Sequence, residues 1–189
     1  MLLKPKASKS LRLRLGPVSG LLDKALATGR CIFVGEGVDA GHNIYPPALA
    51  SMAADIAVHG HLTAATAGFE AFLAGTPTLL LDRERWHRSR WYGLGKGRVV
   101  FNDWEELWKT CCEHWRNPAG VPSLGDWSST IHDLDPFRDG RAVQRMTTYL
   151  NWLLDSLRQG YSRDVALVAA AKQYSEIWGE DKIIRNIGN

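Results

Sequence analysis

Apolar and polar positions change period along this chain, and the changes spell out strands followed by helices. Residues 1–4 read as the end of a strand that opens at the initiating methionine. LGPVSGLLDKALATG then carries Val18, Leu21, Leu22, Ala25 and Leu26 at helical spacing. CIFV (31–34) is a short apolar run of strand length. YPPALASMAA (45–54) reads as a short helix with proline in its first turn, where the missing N–H does no harm. DIAVHG (55–60) predicts the next strand, residues 64–75 a helix stopped at Gly75 with Pro77 just beyond, and TLLLD (78–82) another strand. RVVF (98–101) is a further strand. NDWEELWKTCCEHW is then a helix with Asn102 or Asp103 as its N-cap and Trp104, Leu107, Trp108 and Cys111 on one face. Strands alternating with helices predict a parallel sheet covered by helices on both faces.

Pro118, Gly120, Pro122, Gly125 and Pro136 interrupt that rhythm. Residues 117–137 are therefore read as an irregular connection between an α/β domain (1–116) and a C-terminal helical extension (138–189). In the extension Val143, Met146, Tyr149, Leu150, Leu153, Leu154 and Leu157 form an apolar stripe, Gly160 is a stop, and a second helix runs from about Ser162 to Trp178. The expected fold class is α/β, with a C-terminal helical pair that packs back on the sheet domain or covers a partner. A stripe of this strength predicts an exposed apolar surface or a homodimer that hides it.

Length and charge narrow the classes. The 189 residues allow one α/β domain with a helical appendage and leave no room for two nucleotide-binding lobes. A net charge of +3 suits anionic small molecules and is too weak to argue for nucleic acid. Three cysteines, two of them adjacent at Cys111 and Cys112, make no disulfide framework, so a reducing, cytoplasmic setting is expected. No apolar run approaches the ~20 residues of a membrane span, and MLLKPKASKS lacks the apolar core of a signal peptide. Of the eight tryptophans, six lie between residues 86 and 127, and most are expected to be packing anchors with one polar edge.

Candidate chemistry centres on residues 53–82. A strand, a tight turn and a helix in succession place unpaired N–H groups and the positive end of a helix dipole at a strand's carboxyl end, an arrangement that favours phosphate. Glu70, one turn beyond Thr66 on the same face, is placed to accept hydrogen bonds from a sugar hydroxyl of the same ligand. Gly35 to Ala40 matches G-x-G-x-x-A, but Gly41 and Pro46-Pro47 prevent a helix from opening directly behind it, so the dinucleotide reading is rejected. His59 and His61 point the same way if extended, yet no third ligand lies nearby and no metal is assigned. There is no Gly-x-Ser-x-Gly elbow and no cysteine in an evident activating setting, so no catalytic residue is assigned. RERWHRSRWY (83–92) interleaves four arginines with Trp86, Trp91 and Tyr92. Its place after a strand favours a phosphate- or sugar-contacting loop over a nucleic-acid surface.

Glu70-Ala71, with Gly75 five residues after the glutamate and Pro77 two further on, resembles the E-A-x-x-x-G-x-P signature of the C-terminal domain of GT-B glycosyltransferases. LGKGRVVFNDWEEL (94–107) is similar to that family's glycine-containing strand followed by a helix with an acidic opening, and KPK (4–6) to the basic segment behind its first strand. The resemblance covers residues 1 to 116 and implies a Rossmann-like sheet, the C-terminal half of a GT-B fold, binding a nucleotide-diphosphate sugar. It places nucleotide and phosphate contacts at Lys4, His61, Leu62, Thr63, Ala65 and Thr66, and the ribose at Glu70, with the sugar donor as substrate and no separate cofactor. The implied activity is glycosyl transfer, in surface or cell-envelope carbohydrate biosynthesis. Leu62 stands where many retaining members carry the first glutamate of an E-x7-E pair. The N-terminal acceptor lobe is lacking, so an acceptor-lobe subunit is an expected partner. The alternatives are a sugar-nucleotide epimerase-like half domain and a binding or scaffolding subunit that kept the fold without the chemistry.

Overall fold

Among the described residues every strand pairing is parallel, which needs a crossover connection between the paired strands. The computed structural model describes residues 1–5, 8–34, 45–62 and 65–182. Gly35–Ala40, His42, Lys6, Thr63 and the expected helix start at residue 64 lie outside the described residues. The chain is mixed α/β and divides into two compact units, Met1–Ser129 and Thr130–Asn189.

In the first unit β1 (Leu2–Leu3) leads through α1 (Ser8–Leu15) and α2 (Ser19–Ala27) to β2 (Ile32–Phe33). Next come α3 (Pro47–Ser51), β3 (Ala57–His59), α4 (Thr66–Leu73), β4 (Thr78–Leu81), β5 (Val100–Phe101) and α5 (Trp104–Arg116). Among the described residues the strands form two small sheets, β1-β2 and β3-β4-β5. The expected strands are present but shorter, because main-chain pairing covers only part of each apolar run. Helix α1 was not expected. Its sequence, SKSLRLRL, alternates with the period of a strand, and winding it into a helix spreads the leucines around the axis and leaves Leu13 in water.

Central position explains β4. Thr78, Leu79 and Leu80 are fully buried between neighbours on both edges, with Leu79 beside Phe101, Leu107 and Cys111, and Leu80 beside Val99, Val100 and Trp127. Gly75 follows the end of α4 at φ 91° and Pro77 precedes β4, as the helix-stop reading requires. Asp103 caps α5, its carboxylate accepting from the N–H groups of Glu105 (2.8 Å) and Glu106 (3.0 Å).

The face expected on α5 is only half right. Leu107 and Cys111 are buried, but Trp104 and Trp108 stand half-exposed and pack on each other with ring centroids 6.4 Å apart. At 100° per residue Leu107 and Cys111 centre the inward face, and Trp104, Trp108 and Trp115 fall on its shoulder, where an indole covers the core edge without entering it.

The first unit also takes in the first part of the stretch read as a connection. Val121 and Leu124 join the cluster around Leu79 and Phe101, and Trp127 is fully buried against Phe69, Phe72 and Trp91. Its indole N–H donates to the Thr78 carbonyl at 2.8 Å, which gives the ring the polar partner that a buried tryptophan needs. A further helix, α6 (Ser128–Leu134), follows, its first N–H held by the Asp126 carboxylate.

In the second unit α7 (Ala142–Arg158) packs on α8 (Arg163–Trp178) through Tyr149 against Tyr174 and Trp152 against Trp178. Gly160 separates the helices, and Ser162 caps α8 by accepting from the Val165 N–H. Arg145, nearly buried, grips Asp139 with two 2.8 Å hydrogen bonds and lies over the Phe137 ring.

Candidate functional site

Parallel strands present their carboxyl ends on one side, and in the first unit that side collects the polar residues. His59 ends β3, Asp82 follows β4 and Asn102 follows β5. The short strands leave a cleft of about 190 Å³ between β1 and β3, which Lys4, Val34 and His59 line from the strand ends and Ala67 and Gly68 from the first turn of α4. That turn has no side-chain cap: Ala65 occupies the N-cap position and cannot accept from the following N–H groups. The uncapped helix start and a lysine thus border one opening.

The predicted positions divide into two sets. Leu62 and Ala65 are buried in the core with Leu80, Val100 and Trp127, so their side chains fix the turn and only their main chain is left for a ligand. Thr66 and Glu70 are exposed, one turn apart on α4. His61 is exposed too, and its Nδ1 lies 3.5 Å from a Glu84 carboxylate oxygen. His59 and His61 pack edge to face with centroids 6.1 Å apart. Among the described residues no three metal-ligating side chains converge, and no helix is long and apolar enough to cross a membrane.

At the carboxyl ends of β4 and β5 lies a network that the sequence analysis missed. The loop 83–92 leaves β4, exposes Arg83, Arg85, Arg88 and Arg90, and returns through the turn Arg90–Leu94, where Ser89 Oγ accepts from the Trp91 N–H. Tyr92 then reaches back, its hydroxyl 2.6 Å from Asp82 Oδ2 and 2.5 Å from the Asn102 amide. A phenol has one proton. Donated to the carboxylate, it leaves the phenol oxygen to accept from Asn102, whose amide oxygen and nitrogen exchange by a half-turn. Burial pushes the Asp82 carboxyl up, but the Tyr92 hydroxyl, the Trp86 and Glu84 N–H groups and His87 outweigh it and hold it below the usual range. Burial, the hydrogen bond to Asp82 and the charge of Asp82 push Tyr92 up to about 12 against the opposing hydrogen bond from Asn102. The signal for this network was the polar residue directly after two adjacent apolar strands.

The network anchors the start and end of the arginine loop to β4 and β5. Arg85, at its bend, adopts a left-handed φ of 55°, and Trp86 beside it stands half-exposed. The carboxyl edge therefore offers exposed guanidinium groups, the His61–Glu84 pair and an uncapped helix start, a surface suited to an anionic ligand carrying hydroxyl groups. Compared with protein-family models, curated proteins and solved structures, the chain matches none.

Proposed function

We propose that the first unit is a Rossmann-like donor lobe that binds a nucleotide-diphosphate sugar for glycosyl transfer, with the diphosphate against the first turn of α4. The observation that carries this reading is the opening of an uncapped helix start and Lys4 onto one cleft, which runs along β3 to its carboxyl end at His59. The N–H groups of the uncapped first turn and the lysine favour phosphate oxygens, and Glu70, exposed on α4 outside the cleft lining, is assigned to a ribose hydroxyl by its match to the GT-B signature. At about 190 Å³ the cleft is smaller than the roughly 300–1,000 Å³ of a pocket that encloses a whole ligand. It takes the diphosphate, while sugar and base lie along the open edge beside the arginine loop. In the reaction this lobe stabilises the departing diphosphate, and a base from an acceptor lobe, supplied by a partner, activates the acceptor hydroxyl. The resemblance of Glu70 to Pro77 to the GT-B signature supports the same reading.

Calorimetry with uridine diphosphate and the other nucleoside diphosphates tests it. Glu70→Ala and Lys4→Ala should each weaken binding by about 1–3 kcal/mol, the range for leaving a charged hydrogen-bonding site incomplete. No binding by the wild type, or equal affinities in all three proteins, overturns the assignment.

A further inference from the structure

Charge is not spread evenly along this chain. Residues 83–92 carry four arginines against one glutamate, which is the whole of the net +3, so the basic and acidic residues elsewhere are equal in number. The glutamate does not offset its neighbours, since Glu84 faces His61 Nδ1 at 3.5 Å. Arg90 lies over the Trp91 ring, 4.9 Å from its centroid. Arg83, Arg85 and Arg88 are exposed and have no carboxylate partner among the described residues.

The loop that carries these charges is held in shape from beneath. The buried Asp82 carboxylate accepts from the Glu84 N–H (3.2 Å), the Trp86 N–H and the Tyr92 hydroxyl (2.6 Å). The carbonyls of Arg85 and Trp86 accept from the N–H groups of His87 (3.0 Å) and Ser89 (2.9 Å). Arg85 keeps φ 55°, a conformation that a non-glycine residue holds only where its surroundings fix it. Two of the loop's three large aromatic side chains turn inward, Trp91 onto Trp127 with centroids 5.2 Å apart and Tyr92 onto Asp82. Trp86 is left 46% exposed among the arginines.

That single open indole selects the partner. Single-stranded nucleic acid stacks successive bases on several rings, and here one is open. A free anion would engage the guanidinium groups and leave the indole in water. An anionic bilayer uses both, because its headgroups attract arginine and its interfacial zone takes a tryptophan ring.

We propose that the loop 83–92 docks the first unit on an anionic lipid surface, with Trp86 seated among the headgroups and Arg83, Arg85 and Arg88 against lipid phosphates. This contact does not depend on nucleotide binding at α4.

Flotation of the full chain with lipid vesicles tests it. Binding to vesicles containing phosphatidylglycerol should exceed binding to phosphatidylcholine vesicles by about a hundredfold, at about fivefold for each of the three unpaired guanidinium groups, and should fall steeply with added salt. Arg88→Gln should weaken binding about fivefold. Lys172→Gln, which removes the same charge from an ion-paired position on α8, should leave it unchanged. Brominated acyl chains should quench part of the tryptophan emission of the wild type, and Trp86→Phe should abolish that quenching. Both loop variants should keep the wild-type melting temperature, since the altered side chains are exposed. Equal binding to the two kinds of vesicle, equal losses in Arg88→Gln and Lys172→Gln, quenching that persists in Trp86→Phe, or a single-stranded oligonucleotide that binds more tightly than the vesicles overturns the proposal.

Discussion

Two glycines with left-handed backbone separate the cost of conformation from the cost of close approach. Gly75 has φ 91° and open space where a Cβ would stand, whereas Gly125 has φ 68° and no such space. A Cβ on Gly125 would overlap the Thr78 nitrogen and lie 2.7 Å from the Pro77 carbonyl carbon, both main-chain atoms at the start of β4. Alanine at Gly75 forces an L-residue into the left-handed region at about 1–2 kcal/mol, partly offset by about 0.4–1 kcal/mol from a stiffer unfolded chain. A net loss near or below 1 kcal/mol is expected. Gly125→Ala carries the same conformational cost and must also move the main chain. Gly125 N–H donates to the Arg98 carbonyl at 2.9 Å and its carbonyl accepts from the Thr78 N–H at 3.1 Å, while the Trp127 indole bonds the Thr78 carbonyl two residues on. Disturbing these three hydrogen bonds, at about 1 kcal/mol each, makes Gly125→Ala about 2–3 kcal/mol worse than Gly75→Ala. Urea unfolding followed by tryptophan fluorescence should show the midpoint of Gly125→Ala lower than that of Gly75→Ala by roughly 1–2 M, for a slope of about 1–3 kcal/mol per molar. Equal shifts would mean that backbone conformation alone sets the cost, and would refute the packing of residues 121–127 onto β4.

Two further effects follow from hydrogen-bonded side chains. The Tyr92 phenol, held neutral up to about 12 in the fold and up to its ordinary 10 in the unfolded chain, contributes stability that is complete below pH 10 and lost as pH rises to 12. The wild type should therefore lose about 2–3 kcal/mol across that interval, and Tyr92→Phe should remove this share of the alkaline slope in melts run at each pH. Asp103→Ala removes the N-cap of α5 and should cost about 1 kcal/mol in urea unfolding, with Asp103→Asn recovering most of it.

Local signals were legible in the sequence. The all-apolar TLLL run, the Gly75 stop with Pro77, the Asp103 cap and the Gly160 break each act within a few residues, and each stands where the sequence put it. Burial of Trp127 was not legible. Its partner carbonyl lies 49 residues earlier, and the prolines and glycines around it read as punctuation. Val121, Leu124 and Trp127, spaced by three, were the available signal that the stretch packs inward. The Asp82–Tyr92–Asn102 network was hidden for the same reason, since side chains ten residues apart share no local period. Only aligning the ends of β4 and β5 would have set Asp82 beside Asn102.

The turn after β3 shows why a site of the proposed kind leaves so little trace in side chains. Leu62 and Ala65 point into the core and hold the chain in place, so the groups left for an anion are main-chain N–H groups that every residue type carries. Substituting Leu62 would weaken the core and the turn together, and a loss of binding in such a variant would say nothing about contact with a ligand. Glu70 and Lys4 separate the two effects. Glu70 is exposed on α4, and Lys4 borders the cleft just beyond β1, so alanine at either position tests the proposed ligand contacts while the apolar cluster beneath stays packed. Side chains at the rim therefore carry the test of the ligand, and those beneath carry the stability of the turn that presents it.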